Sequence, residues 1–374
     1  MFIPRAYNLE KEIEKSKILS IFGPRQVGKT TLVKHFLENS QLKYRFENGG
    51  NMDTQEWLSS LSLKRFKEEL EGYELLVVDE AQKVPKIGEA LKLIADELQI
   101  YTIVTGSSSF ELAGQIGEPL VGRKKELELF PLSVFELCKI YNKAELKNML
   151  EDFLIFGMYP EIFTSKSKQE KSQKLKDVAS AYLFKDILEF ERVKDAKVLR
   201  KLLALLAFQI GKEVSLTELS NSLDISVHTV ARYLDLLEKS FVIYSVQGFS
   251  RNLRKEVTKT SRYFFYDNGI RNAVISNFNK LELRDDLGAL WENFIFMERL
   301  KTRKYKRIFA NVYFWRTWDQ KEIDLVEERD GKLFAYEFKF NPKKEKNPPA
   351  LWEQNYPNSE FQVINKDNFL DFVL

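Results

Sequence analysis

Residues 21–32 read IFGPRQVGKTTL. Gly23 is followed by four residues and then by Gly28, Lys29 and Thr30, between the apolar ILSIF and the amphipathic TTLVKHFL, so the expected order is strand, loop, helix. Glycines at the two ends let the backbone turn tightly and aim loop N–H groups at one anion, and the helix that starts near Gly28 adds its positive dipole end. The spacing therefore assigns Gly23, Pro24, Arg25, Gln26, Val27, Gly28, Lys29, Thr30 and Thr31 to a nucleotide. Lys29 would reach the β- and γ-phosphates of ATP, and the Thr30 hydroxyl would ligate Mg²⁺. The competing reading is a glycine-rich turn with a solvated lysine.

A second stretch supports the first. ELLVVDEAQ is a continuous apolar run of the kind expected for a strand covered on both faces, and it ends in Asp79 and Glu80. Asp79 is expected to hold the Mg²⁺ shell, and Glu80 to orient or deprotonate the attacking water. A surface acidic pair beside a buried strand is the alternative. The later strand IYTIVTGSSS ends in Thr105, Ser107 and Ser108, positions suited to sensing the γ-phosphate or to capping the next helix.

The chain has 374 residues, too many for one ordinary core, so two or three domains are expected. With 44% hydrophobic and 30% charged residues the composition is globular. No apolar run approaches a membrane span, and MFIPRAYNLEKEIEK lacks the layout of a signal peptide, so a cytoplasmic location without membrane contact is expected. One cysteine, Cys138, leaves no disulfide framework, and with only His35 and His228 besides, any metal should be bound by oxygens. A net charge of +3 is too mild to argue for nucleic acid, so local clusters must carry that case.

Strand and helix signals alternate up to about Leu137, which predicts a parallel sheet flanked by helices. Apolar residues then recur at three- and four-residue spacing, predicting a helical lid over 138–193. The stretch from KVLRKLLALLAF to FVIYSV reads as helix, LTELSNSL helix, the turn DIS, a longer helix and a strand, the layout of a winged helix-turn-helix. Ser226 would cap the longer helix and leave His228, Thr229 and Arg232 near its exposed start, with RNLRKEVTKTSR as the wing. DNA contact and a packing or docking role both remain open for it.

In the tail, a helix carrying Glu292 precedes a strand, a hairpin turning at RDG, a further helix and a last strand. Asp324 lies in the first hairpin strand, and period-two geometry puts Glu337 and Lys339 on one face of the second. Two carboxylates and a lysine can form an oxygen-ligand Mg²⁺ site, with Asp324 and Glu337 holding the ion and Lys339 positioning water against a phosphodiester. Alternating Glu and Lys on an exposed strand face is the other reading.

The first region resembles the AAA-type P-loop ATPases. Through GPRQVGKTT, VVDEAQ, TGSSS, LVGRKKELELFPLSVFEL, GMYPEI, YFFYDNGIR and GALWENF…EIDLV…YEFK, the whole chain resembles the family that joins such an ATPase to a C-terminal domain of unknown function, DUF4143. The resemblance implies an arginine finger, carried to Arg123 with Arg25 and Lys124 as rivals. The tail resembles the PD-(D/E)xK nuclease fold, which implies metal-site roles for Glu292, Asp324, Glu337 and Lys339, although Ile323 replaces the proline before the aspartate. Taken together, the expectation is an α/β chain: a P-loop NTPase parallel sheet (1–137) with helical lid (138–193), a winged helix-turn-helix (194–262) and a mixed α/β restriction-nuclease-like domain (263–374). It would bind and hydrolyse Mg²⁺-ATP and act on DNA, as a homo-oligomer where the finger works in trans. The alternative is an ATP-dependent switch that recruits a protein partner through an inactive nuclease-like scaffold.

Overall fold

In this computed structural model, residues 2–106, 120, 122–180, 195–249, 261–317, 319–341 and 347–374 are described. The chain divides into two compact units, one of residues Arg5–Phe130 with Lys239–Phe241, the other of Met1–Pro4, Pro131–Glu238 and Val242–Leu374. Among the described residues no helix is long and apolar enough to cross a membrane.

The first unit is built on five parallel strands in the order β2-β3-β4-β1-β5. These are β1 (Ile18–Phe22), β2 (Tyr44–Asn48), β3 (Leu75–Asp79), β4 (Tyr101–Gly106) and β5 (Lys124–Glu128). The apolar run of β3 is buried throughout, as expected of a strand covered on both faces. One cover is the helix Ile87–Glu97, whose Ile87, Ala90, Leu91 and Ile94 follow helical spacing into a core with Trp57 and Phe66. This order sets β4 between β1 and β3, so the loop after β1, the Asp79 end of β3 and the Thr105 end of β4 meet at one sheet edge. Ligands of parallel α/β sheets bind at that carboxyl edge.

The second unit differs from the domain division expected of the sequence. Its sheet has seven strands in the order β12-β11-β10-β9-β7-β8-β6: β6 (Glu213–Val214), β7 (Ile243–Gly248), β8 (Ser261–Phe265), β9 (Asn311–Arg316), β10 (Glu322–Arg329), β11 (Lys332–Phe338) and β12 (Glu360–Ile364). The expected boundary at 262 falls inside β8. The cause is an open edge: β7 has a free side once it pairs with β8, and β9 fills it in parallel register through Gln247↔Tyr313 and Gly248↔Phe314. The expected boundary at 137 likewise lies past the division at Phe130, and the described part of the expected lid belongs to the second unit. There the helix Leu150–Phe156 is tied to the helix Asn268–Val274: Asn272 Nδ2 donates to Leu154 O (3.1 Å) and Ile155 O (2.8 Å). The helix Leu287–Tyr305 is buried along most of its length, and Phe296 on it stacks on Phe264 of β8 at 4.1 Å.

Candidate nucleotide site and a second carboxylate cluster

Gly28 caps the helix Lys29–Asn39 with φ +94, and Gly23 has φ +142. A Cβ on Gly23 would lie 2.1 Å from Leu129 O, so backbone conformation and space both demand glycine there. Val27 is buried beneath the loop. The loop is pinned from below by Arg5, which donates to Val27 O and, at 2.6 Å, to Phe130 O. No local pattern marks Arg5 in the sequence; its role comes from a contact over 125 residues.

Lys29 is 7% exposed, and its Nζ donates to Gly23 O (2.8 Å) and Pro24 O (2.6 Å). Burial pulls its ammonium down to about 7, against the opposing charges of Glu80 and Asp79 and with Arg25 adding to the drop. A desolvated cation at a helix start, under a glycine loop, fits a phosphate chain. Thr30 Oγ1 lies 3.0 Å from both carboxylate oxygens of Asp79. From β4, Thr105 Oγ1 donates to Asp79 Oδ1 and accepts from Glu80 N at 3.2 Å. Two hydroxyls thus orient Asp79, and Thr30 with Asp79 form the hard-oxygen donor pair that suits Mg²⁺. Glu80 has φ +55; its Oε2 stands 3.1 Å from Lys83 Nζ and 3.4 Å from Gln82 Nε2.

Arg25 is half-buried, whereas Gln26 and Thr31 are exposed. Ser107 and Ser108 lie outside the described residues. Arg123 is not brought to this group; its Nε donates to Asp96 Oδ1 in the helix Ile87–Glu97. Lys124 pairs with Glu126 at 2.6 Å.

In the second unit Glu292, Asp324, Glu337 and Lys339 do come together, but as an ion-pair cluster. Glu337 is fully buried, Asp324 nearly so, and Lys339 Nζ lies 2.9 Å from Glu337 Oε1. Phe338 N donates to Asp324 Oδ2 at 2.7 Å. The remaining member is Arg262 of β8, whose guanidinium lies 2.6 Å from Glu322, 3.5 Å from Glu292 and 3.8 Å from Asp324. Burial and the charge of Asp324 hold Glu292 well above the usual carboxylate range, against the pull of Arg262. Burial and the charge of Glu337 raise Asp324 to about 6. Among the described residues no three His, Cys, Asp or Glu side chains are arranged to hold a metal ion. Of the three carboxylates expected to hold a metal, Glu292 and Asp324 have the Arg262 guanidinium beside them, and Glu337 has Lys339. Arg262 ends the basic run expected to form the wing. Its signal was period two: Arg262 shares a strand face with Phe264, which is fully buried.

The helix Leu216–Leu223 ends at Asp224 with φ +55, and the next helix, Val227–Lys239, buries Val230, Tyr233, Leu234, Leu236 and Leu237. Ser226 Oγ accepts from Thr229 N at 3.1 Å, the expected cap. His228 and Arg232 face solvent; the basic run over 251–260 lies outside the described residues.

Compared with known families, residues 15–138 match the AAA domain, 147–281 match the domain of unknown function DUF8612, and 287–369 match the domain of unknown function DUF4143. The middle match runs across the expected boundaries at 193 and 262. An uncharacterized protein of Mycobacterium tuberculosis is 26% identical over 340 residues, 89% of this chain and 73% of its own length. One from Haemophilus influenzae is 23% identical over 357 residues, 88% and 84% respectively. Among solved structures, a signal-transduction ATPase with numerous domains from Pyrococcus horikoshii aligns with TM-score 0.29 and 13% identity over 77% of this chain and 43% of its own. A variant of RuvB from Thermotoga maritima aligns with TM-score 0.31 and 18% identity over 61% and 81%.

Proposed function

We propose that this chain, an AAA-type ATPase with a C-terminal DUF4143 domain, binds Mg²⁺-ATP at the 23–30 loop, hydrolyses it, and uses the cycle to control how its C-terminal half engages DNA. The observation that carries the first part is the convergence of buried Lys29 and Asp79 with half-buried Thr30 and Glu80 at the carboxyl edge of β1, β3 and β4. Lys29 would hold the β- and γ-phosphates by exchanging loop carbonyls for phosphate oxygens, while the helix start and loop N–H groups cradle them. Thr30 and Asp79 would hold Mg²⁺, which neutralises charge on the transferred phosphoryl group. Glu80 orients the attacking water and accepts its proton, and Thr105 fixes the backbone on which Glu80 sits. Lys29→Ala should lose tight binding of a fluorescent ATP analogue; undiminished affinity would overturn the assignment.

For the second part, the order of helix, short strand, two helices and two strands over 196–265 supports a winged helix, with His228, Thr229 and Arg232 facing DNA. The helix Leu287–Tyr305, strands β9 to β11, helix Ala350–Asn355 and β12 support a nuclease-like scaffold. Fold alone does not establish cleavage. DNA binding that weakens steeply with salt and falls in Arg232→Ala is the expected result. Binding that is absent, or indifferent to salt, would favour recruitment of a protein partner instead. Arg123 is assigned as the finger that reaches the nucleotide of a second copy. That role requires ATP-dependent assembly, which mass measurement in solution with and without ATP reads directly.

A further inference from the structure

We infer that Arg262 is the resident cation of the C-terminal carboxylate cluster, compensating Glu292, Glu322 and Asp324 where the sequence pattern calls for a divalent ion at Asp324. It rests on the geometry of the second unit and is independent of ATP hydrolysis. Three observations carry it. The guanidinium is 3% exposed and lies within 3.8 Å of Glu292, Glu322 and Asp324 together. Its carrier cannot swing away, because β8 is an interior strand in which Arg262 is paired with Val246 on one side and Glu213 on the other. The plane of the group is held over Phe314, 4.5 Å from the ring centroid.

The acceptors are engaged in part: Glu292 Oε1 is buried and meets Arg262 only as an ion pair at 3.5 Å, without a hydrogen bond. Asp324 Oδ2 takes the Phe338 N–H, and Glu337 Oε1 takes Lys339. Around Glu292, the turn at Gly211, with φ +72, approaches so closely that a Cβ there would stand 3.0 Å from the carboxylate. Mg²⁺ needs oxygens at about 2.0–2.1 Å. An ion at the position of the Arg262 nitrogen would find Glu292 and Asp324 at 3.5 and 3.8 Å, so both would have to move inward and the guanidinium would have to leave. In the wild-type chain the cluster therefore works as a charge-compensated joint between β8, β10 and the helix Leu287–Tyr305, and it does not supply metal-dependent cleavage.

The test is calorimetric titration of Mn²⁺ into the nucleotide-free full chain, in wild type, Asp324→Asn, Arg262→Ala and the double variant Arg262→Ala/Asp324→Asn. Wild type and Asp324→Asn should give the same isotherm. Arg262→Ala should bind at least tenfold more tightly than wild type, should gain thermal stability with Mn²⁺, and should lose both effects in the double variant. Mn²⁺ binding by wild type that disappears in Asp324→Asn overturns the inference, as does a folded Arg262→Ala that gains no affinity. Should Arg262→Ala not fold, the comparison of wild type with Asp324→Asn still decides. Mn²⁺-dependent plasmid nicking by wild type that vanishes in Glu337→Ala overturns it too.

Discussion

Both units bring carboxylates and a lysine together, yet the two groupings differ in what satisfies the charges. In the nucleotide unit the partners are largely neutral: Lys29 rests on two carbonyls, and Asp79 on the hydroxyls of Thr30 and Thr105. In the C-terminal unit they are ionic, with Arg262 and Lys339 set among Glu292, Glu322, Asp324 and Glu337. Hydrogen bonds between one charged and one neutral group are worth about 1.5–3 kcal/mol each and can be exchanged for phosphate or metal, whereas removing one partner of a buried ion pair costs about 3–5 kcal/mol. The first grouping thus rests on neutral partners that a ligand could replace, and the second on charged partners supplied by the protein itself.

The largest effect should come from Glu80→Gln, which keeps the shape but removes the base. Phosphate release should fall by about 10²–10⁴-fold with nucleotide still bound. A wild-type rate would remove Glu80 from the chemistry.

The stability of the two sites should respond oppositely to loss of a cation. Arg262→Ala strands buried carboxylates and should lower unfolding free energy by about 3–5 kcal/mol in denaturant titrations. Lys29→Ala removes an ammonium whose burial is only partly offset, so its unfolding midpoint should stay level or rise. Equal destabilisation by both variants would break the contrast.

The acid limb of stability should carry the mark of Asp324. Its folded value of about 6 exceeds its ordinary 3.8, so the folded state holds a proton that the unfolded chain releases between those values. The contribution is complete below about pH 4 and is lost as pH rises through about 6, a fall of up to about 3 kcal/mol. Glu292, also raised, acts with the same sign. Denaturation curves across this range should show a flatter profile in Asp324→Asn, and an unchanged slope would contradict the buried, like-charged surroundings of Asp324.

Smaller still, Thr105→Val removes one hydroxyl from Asp79 and from the Glu80 N–H. At about 1 kcal/mol per hydrogen bond, hydrolysis should slow roughly five- to tenfold. No change would make Thr105 a packing residue.

Much of the geometry of the candidate nucleotide site was legible because its requirements are local. The spacing from Gly23 to Thr30 specifies a loop closed by positive-φ glycines and followed by a helix, and the apolar run before Asp79 specifies a buried strand. Each needs only neighbours within a few residues. Ser226 as a cap and the RDG turn, where Asp330 and Gly331 have φ +50 and +74, were legible for the same reason. Arg5 and Arg262 were not, since their partners lie up to 125 and 62 residues away. The sequence by itself determined the parallel nucleotide-binding fold, its loop and its acidic strand end. Only the tertiary structure decided that β7 and β8 join the C-terminal sheet, that the 138–180 segment belongs to that unit, and that a guanidinium sits among the tail carboxylates. The physical reason is that an open strand edge and a buried charge take their partners from wherever the fold delivers them, and no local periodicity records that choice.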